Sequence, residues 1–146
     1  MPDPPGVTMR LGLLLRQSHR RAAGALADVL SELDLTNRHF GVLLILDRDG
    51  VSTQRDLIRE TGSDKAGMVR TVEELEKRGY LTRSTSAFDR RVADLTLTEP
   101  GQAVFDQARR GAAKTAEALF NTFDQEELAA LEDLLTRFLA ATGPDE

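Results

Sequence analysis

The sequence predicts a mainly α-helical chain with one small β element, an α+β fold, on three observations. Apolar residues recur every three or four positions over the first and last thirds of the 146 residues. Between them, a short piece alternates with period two, Ala93-Asp94-Leu95-Thr96-Leu97-Thr98. Two short helical patterns upstream of it meet at Gly62. The length suggests one domain. About 150 residues bury roughly 68–70% of the unfolded chain's surface, enough for a core without cross-links.

The first helix runs from about Met9 to Leu33. Leu11, Leu15, Ser18, Ala22, Leu26, Val29 and Leu33 form its stripe, and Arg16, Gln17, Arg20, Arg21, Asp28 and Glu32 fill the other side. Such a helix is about 36 Å long at about 1.5 Å per residue. That exceeds what a small domain needs, so it is expected to pack on several elements or on a second chain.

Thr36 is placed to cap a second helix through Phe40 and Leu43 to Arg48, closed by Gly50. Its run Val42 to Leu46 could be a buried strand by periodicity. The cap, the stop and the length favour a helix. Thr53 caps a third helix, with Asp56 three residues on, and Thr61-Gly62 ends it. Ser63 is expected to cap a fourth, in which Met68, Val72 and Leu75 face inward and Lys77-Arg78-Gly79 closes.

Strands are expected at Tyr80 to Ser84 and Ala93 to Thr98, joined by a polar, basic loop from Thr85 to Val92. Thr98 caps the next helix, with Pro100 in its first turn and Phe105, Ala108, Ala112, Ala116 and Leu119 as its stripe. Asp124-Gln125-Glu126-Glu127 opens the last helix with a capping box, and Leu128, Leu131, Leu135 and Phe138 are expected to face inward. Two close helices followed by a β-hairpin make a winged helix-turn-helix.

Composition bounds the chemistry. Hydrophobic residues are 40% and aromatics 5%, with no Trp, so the core must be Leu, Val and Ala. The absence of Cys excludes a disulfide scaffold, a Cys-ligated zinc site, an iron–sulfur cluster and a thiol switch. The longest purely apolar run, Val42 to Leu46, is far below the roughly 20 residues of a membrane span. Met1 to Gly6 is Pro-rich, lacks a signal-peptide profile and reads as a frayed tail. The expected location is the cytoplasm. No P-loop, GxGxxG, HExxH or Ser–His–Asp order is present, so no enzyme, cofactor or metal site is expected.

The helix-turn-helix places Ser63, Lys65, Ala66, Val69 and Arg70 outward near the start of its second helix. In this motif those positions meet the major groove, where Lys65 and Arg70 could reach phosphate or guanine O6 and N7. A structural αα-corner with solvated charges makes the same pattern. The hairpin loop adds weight, because Arg90 and Arg91 at a ribbon tip suit the negative minor groove. Asp89 beside them fits if it pairs with an arginine and holds it in place.

Leu35-Thr36, His39-Phe40, Val42-Leu43, Thr53-Gln54 before Leu57, Leu75-Glu76 before Gly79-Tyr80-Leu81, and Asp89-Arg90-Arg91 with Leu97-Thr98 and Gly101 resemble the multiple-antibiotic-resistance regulator (MarR) family. The resemblance covers nearly the whole chain. It implies a homodimer held by the first and last two helices, on pseudo-palindromic promoter DNA, usually as a repressor. It further implies that Arg91 enters the minor groove while Asp89 orients the wing. Many members release DNA when a small aromatic or phenolic effector binds between the dimer helices and the winged region. The implied organisation is residues 1–35 as an N-terminal dimerisation helix, 36–98 as the winged DNA-binding region and 99–146 as C-terminal dimerisation helices.

Three departures stand out. His39 replaces the usual Gln, and Ile58 replaces the usual Ala beside the turn. Ala66, Gly67 and Val69 stand where Ser or Thr often occurs. Ala and Val can touch a thymine methyl but cannot hydrogen-bond a base edge. Readout then falls on Lys65, Arg70 and Ser63. For an effector with a carboxylate or phenolate, Arg16, His19, Arg20 and His39 are the candidate partners. Arginines that simply cover a helix surface, and histidines satisfied by hydrogen bonds, look the same in sequence.

Two other classes of function share the pattern: a winged-helix protein-interaction module without specific DNA binding, and a small enzyme with an unrecognised site. The basic wing favours DNA. The net charge of −5 argues against it only if spread evenly. Residues 1–36 carry 4 basic and 4 acidic groups, residues 37–98 carry 11 and 10, and residues 99–146 carry 4 and 10. The acidity thus sits in the closing helices.

Overall fold

The computed structural model describes residues 6–143, so most of the Pro-rich start read as a frayed tail lies outside the described residues. The order is α1 (Val7–Ser31), α2 (Asn37–Asp49), α3 (Gln54–Thr61), α4 (Lys65–Lys77), β1 (Leu81–Thr85), β2 (Ala93–Leu97), α5 (Glu99–Leu119) and α6 (Gln125–Ala141). This is the expected α+β winged helix-turn-helix.

Local chemistry sets most boundaries. Thr36, Thr53, Thr98 and Asp124 each accept a hydrogen bond from the backbone N–H three residues on, which satisfies a donor the helix itself leaves open. The run Val42 to Leu46 is helical and largely buried, with only Leu44 exposed. α1 ends without glycine: the chain reverses at Asp34, φ 58°, and Leu35 N–H bonds the Leu30 carbonyl at 3.0 Å.

α4 corrects one expectation. Its N-cap is Asp64, not Ser63. Ser63 is drawn back into the turn, where its N–H donates to Thr61 Oγ1 at 3.3 Å and its hydroxyl to the Asp64 carbonyl. Asp64 has the extended backbone of a cap, and its carbonyl accepts from Met68 N–H, but its side chain caps nothing.

β1 and β2 pair antiparallel, with Leu81 opposite Leu97 and Thr85 opposite Ala93. A third, one-residue edge was not read from sequence. Ser52 bridges Leu95 through two backbone bonds of 3.2 and 2.8 Å, tying the α2–α3 connection to the wing.

The core is built from α1, α2, α3, α4, the sheet and α5. Leu30, Leu43, Leu57, Leu75, Leu81, Leu95 and Phe105 are fully buried, and the Phe105 ring lies 5.7 Å from that of Phe40. Gly101 is required by close approach. A Cβ there would stand 1.9 Å from the Tyr80 carbonyl oxygen, so the start of α5 seats directly on the chain leading into β1.

The terminal helices behave differently. α6 buries no residue. The stripe expected to face inward is open in this chain: Leu128 and Leu131 are half-buried, Leu135 is exposed and Phe138 is 49% exposed. Leu11, Leu14 and Leu15 of α1 and Leu119, Phe120 and Phe123 after α5 are exposed too. The physical reason is that the described residues of one chain place nothing over these faces. Among the described residues no helix is long and apolar enough to cross a membrane.

Candidate nucleic-acid interface

α3 is only eight residues long and depends on its start. Thr53 Oγ1 accepts from Asp56 N–H at 3.2 Å and Asp56 Oδ2 accepts from Thr53 N–H at 3.1 Å. Thr53's backbone N–H, ahead of Arg59, holds the Asp56 carboxyl below its ordinary range. The turn then needs a left-handed residue, and Gly62 supplies it at φ 69°. Leu57 and Met68, both buried, lock α3 onto α4.

This packing settles which side of α4 faces outward. Lys65, Ala66 and Arg70 are exposed, while Ser63 and Val69 are half-buried. Gly67 is buried, and a Cβ there would meet Asp64 Oδ1 at 2.5 Å and Arg38 Nη1 at 2.6 Å. Its absence lets those side chains lie against the helix.

The wing tip is held by one carboxylate. Asp89 Oδ1 accepts from Arg91 N–H at 2.9 Å and from Arg91 Nε at 3.2 Å, and Oδ2 from Nη2 at 3.4 Å. These bonds, the backbone one first, hold the Asp89 carboxyl below its ordinary range. Ser86, which is buried, accepts from Phe88 N–H and bonds Val92 across the loop. Arg91 is thereby oriented yet 90% exposed at its side chain. Arg90 is exposed beside it, with no ion pair among the described residues.

A cleft of about 510 Å³ lies between α3, α4 and the wing, lined by Thr53, Gln54, Arg55, Lys65, Arg83 and Arg91 among others. It brings Lys65 and Arg91 together, although they are far apart in sequence. Sequence reasoning missed Arg55 and Arg83. Arg55 lies in the first turn of α3, and Arg83 in the middle of β1, where its Nε bonds Glu76 Oε2 at 3.2 Å. The signal available was their place beside motif residues, but only the fold shows the shared cleft. Four cations and no carboxylate line it, which suits a polyanion backbone.

The effector candidates do not converge. His19 lines a pocket of about 430 Å³ with Ala23, Asn37, Arg38, Thr61, Gly62, Ser63, Met68 and Thr71. Arg20 borders a separate hollow with Gln17 and Arg21, and Arg16 is exposed outside both. His39 is 2% exposed. Its Nδ1 accepts from Thr36 N–H at 3.0 Å, and its Nε2 lies 2.6 Å from Glu74 Oε2. Neither ring nitrogen is free for a ligand. Sequence reasoning also missed Asn37 and Arg38. Asn37 Nδ2 donates to the Ala23 carbonyl at 3.0 Å, while its buried Oδ1 has no partner among the described residues. Among the described residues no cluster of three His, Cys, Asp or Glu side chains could hold a metal.

A sequence model of the MarR family matches residues 33–92, from the end of α1 into the wing. The HTH-type transcriptional repressor NicR of Pseudomonas putida is 30% identical over 136 residues, which span 93% of this chain and 86% of NicR. A mutant MarR of Escherichia coli complexed with operator DNA matches with a TM-score of 0.84 at 25% identity, covering 94% of this chain and 99% of that one. BpsR of Bordetella bronchiseptica, whose DNA binding is regulated by 6-hydroxynicotinic acid, matches with a TM-score of 0.81 at 27% identity, covering 88% and 98%.

Proposed function

This chain belongs to the MarR family of transcriptional regulators, and from that premise we propose that it is a homodimeric operator-binding repressor released from DNA by a small aromatic anion. The observation that carries the reading is the cleft that gathers Arg55, Lys65, Arg83 and Arg91 between α4 and the wing. A duplex that takes α4 in its major groove and the wing in its minor groove runs its backbone past that cleft. Lys65, Arg70 and Ser63 are then the base or phosphate contacts of α4, with Ala66 and Val69 against thymine methyls. Arg90 and Arg91 serve the minor groove, and Asp89 aims Arg91.

The division of labour follows the open faces. Residues 1–35 and 99–146 hold the second chain through Leu11, Leu14 and Leu15 of α1 and Leu134, Leu135, Phe138 and Leu139 of α6. Residues 36–98 hold the DNA. Pseudo-palindromic operators suit such a two-fold arrangement.

The effector reading rests on the pocket of about 430 Å³, within the range of small-ligand sites. It offers a guanidinium at Arg38, an imidazole at His19 and the unpartnered acceptor Asn37 Oδ1. A hydroxylated aromatic carboxylate answers all three. BpsR is regulated by 6-hydroxynicotinic acid, a compound of that chemistry. The pocket also touches Ser63 and Met68, so an occupant bears directly on the turn before α4.

Fluorescence polarisation with the DNA upstream of the protein's own gene tests this. The expected result is binding on the order of 10 nM with steep salt dependence, as several phosphates are neutralised. Arg91→Ala should weaken it at least about tenfold while the dimer persists. Absence of binding even at low salt sinks the operator reading. Unchanged affinity in Arg91→Ala sinks the wing assignment.

A further inference from the structure

Arg70 and Glu74 stand four residues apart on α4, so their side chains are neighbours on one helix face. An arginine four residues before a carboxylate is within reach of an ion pair, though this order is the weaker of the two. Here Arg70 has none within 4.0 Å among the described residues. The Glu74 carboxylate is taken by another element. His39, in the first turn of α2, aims Nε2 at Glu74 Oε2 over 2.6 Å.

The direction of that hydrogen bond is fixed from the other side of the ring. Thr36 N–H donates to Nδ1, so Nδ1 carries no proton and the ring proton sits on Nε2. The capping box of α2 therefore makes His39 a donor pointed at α4. The ring is 3% exposed at its side chain and has no room to turn, while the Glu74 side chain is 45% exposed. His39 is also the first cause, ahead of Arg78 and Arg70, that holds the Glu74 carboxyl below its ordinary range.

We propose that His39 is a positioning residue for DNA recognition: it captures the Glu74 carboxylate and so leaves the Arg70 guanidinium uncommitted and able to meet DNA. Without the capture, the carboxylate turns along α4, pairs with Arg70 and presents negative charge beside the phosphates. Arg78, on the other side of Glu74, is already engaged with Asp34, so it does not replace His39 as the captor. This role goes beyond helix capping, and it rests on the reading above that Arg70 faces DNA.

The test is a mutant cycle on the full-length protein, read as affinity for its own upstream duplex and as the slope of log K against log salt. His39→Ala should lose about 3- to 10-fold in affinity and flatten the slope by about 0.9, the share of one phosphate contact. Glu74→Gln should bind within about 2-fold of wild type. His39→Ala combined with Glu74→Gln should recover to within about 3-fold of wild type, because no carboxylate remains to compete for Arg70. His39→Gln, which keeps a cap acceptor and a donor, should behave as wild type. Should His39→Ala not fold, Glu74→Asp replaces it. Its carboxylate is one methylene too short to reach His39, and a loss of about 3-fold is expected. If the double variant is as weak as His39→Ala, or folded His39→Ala binds normally, the proposal is overturned and His39 is a cap alone. If Arg70→Ala binds as well as wild type, the proposal also fails. A wild-type protein that does not bind its upstream DNA removes the operator reading and this inference with it.

Discussion

The winged middle of the chain buries Val42, Leu43, Leu46, Leu57, Met68, Val72, Leu75, Leu81 and Leu95 within one protomer, whereas α6 carries four consecutive turns and buries nothing. Both segments have helical apolar stripes, and α2 and α3 in the middle are side-chain capped just as α6 is. They differ in what covers the stripe. In the middle, α2, α4, the sheet and the first half of α5 close over one another. At the ends, Leu11, Leu14, Leu15, Leu134, Phe138 and Leu139 stay open. An amphipathic pattern states that a face must be covered and is silent on which chain covers it. The contrast in charge runs the same way: the basic cleft lies in the middle, and the acidic excess lies in residues 99–146, within which α6 carries four acids against one arginine while α5 is balanced.

Three substitutions and a change of pH test this contrast. Phe105→Ala removes the largest fully buried side chain, which stacks near Phe40. It should cost about 3–5 kcal/mol in chemical unfolding, by transfer and cavity terms together. Phe138→Asp acts on an exposed counterpart. Covering a phenyl group contributes about 1.5–3 kcal/mol, so the dimer dissociation constant should rise at least about tenfold by sedimentation equilibrium. An unchanged constant would place the second chain elsewhere. Thr53→Ala takes away one half of the α3 capping box and should cost about 1 kcal/mol, seen as a lower urea midpoint at constant slope.

Acid has the smallest effect. Asp56 and Asp89 both have carboxyls held below the ordinary aspartate value of 3.8 by backbone N–H donors. A depressed carboxyl stabilises the fold fully above its unfolded value and loses that contribution as pH falls through its folded value. The α3 start and the wing tip should therefore hold through pH 5 and loosen only below about pH 3.8, followed by the amide shifts of Thr53 and Arg91. Loosening of the wing between pH 5 and 7 would show that Asp89 does not hold it.

What was legible in sequence was local. Thr36, Thr53, Thr98 and Asp124 were read as caps because capping chemistry acts over three residues, and Gly62 marked its turn for the same reason. Ser63 and Asp64 are adjacent and both able to cap, and only the tie of Ser63 back to Thr61 decided between them. The strands and the Asp89–Arg91 pair were legible from alternation and from the oddity of an acid in a basic loop. The Ser52–Leu95 bridge was not, since one residue carries no period. Nor was the cleft, because Arg55 and Arg83 become neighbours of Lys65 only when the sheet folds onto α3. In sequence His39 is equally readable as an effector partner or as a histidine satisfied by hydrogen bonds. Its partner Glu74 is 35 residues away, and the bond between them is a product of packing α2 against α4.

The middle of the chain is assigned to DNA and its ends to a second copy. Native mass spectrometry of the protein with a duplex from its own upstream region tests both assignments together. The expected result is a dimer without DNA and two chains on one duplex with it, the complex dissociating as salt is raised. One chain per duplex, or a monomer in the absence of DNA, would overturn it.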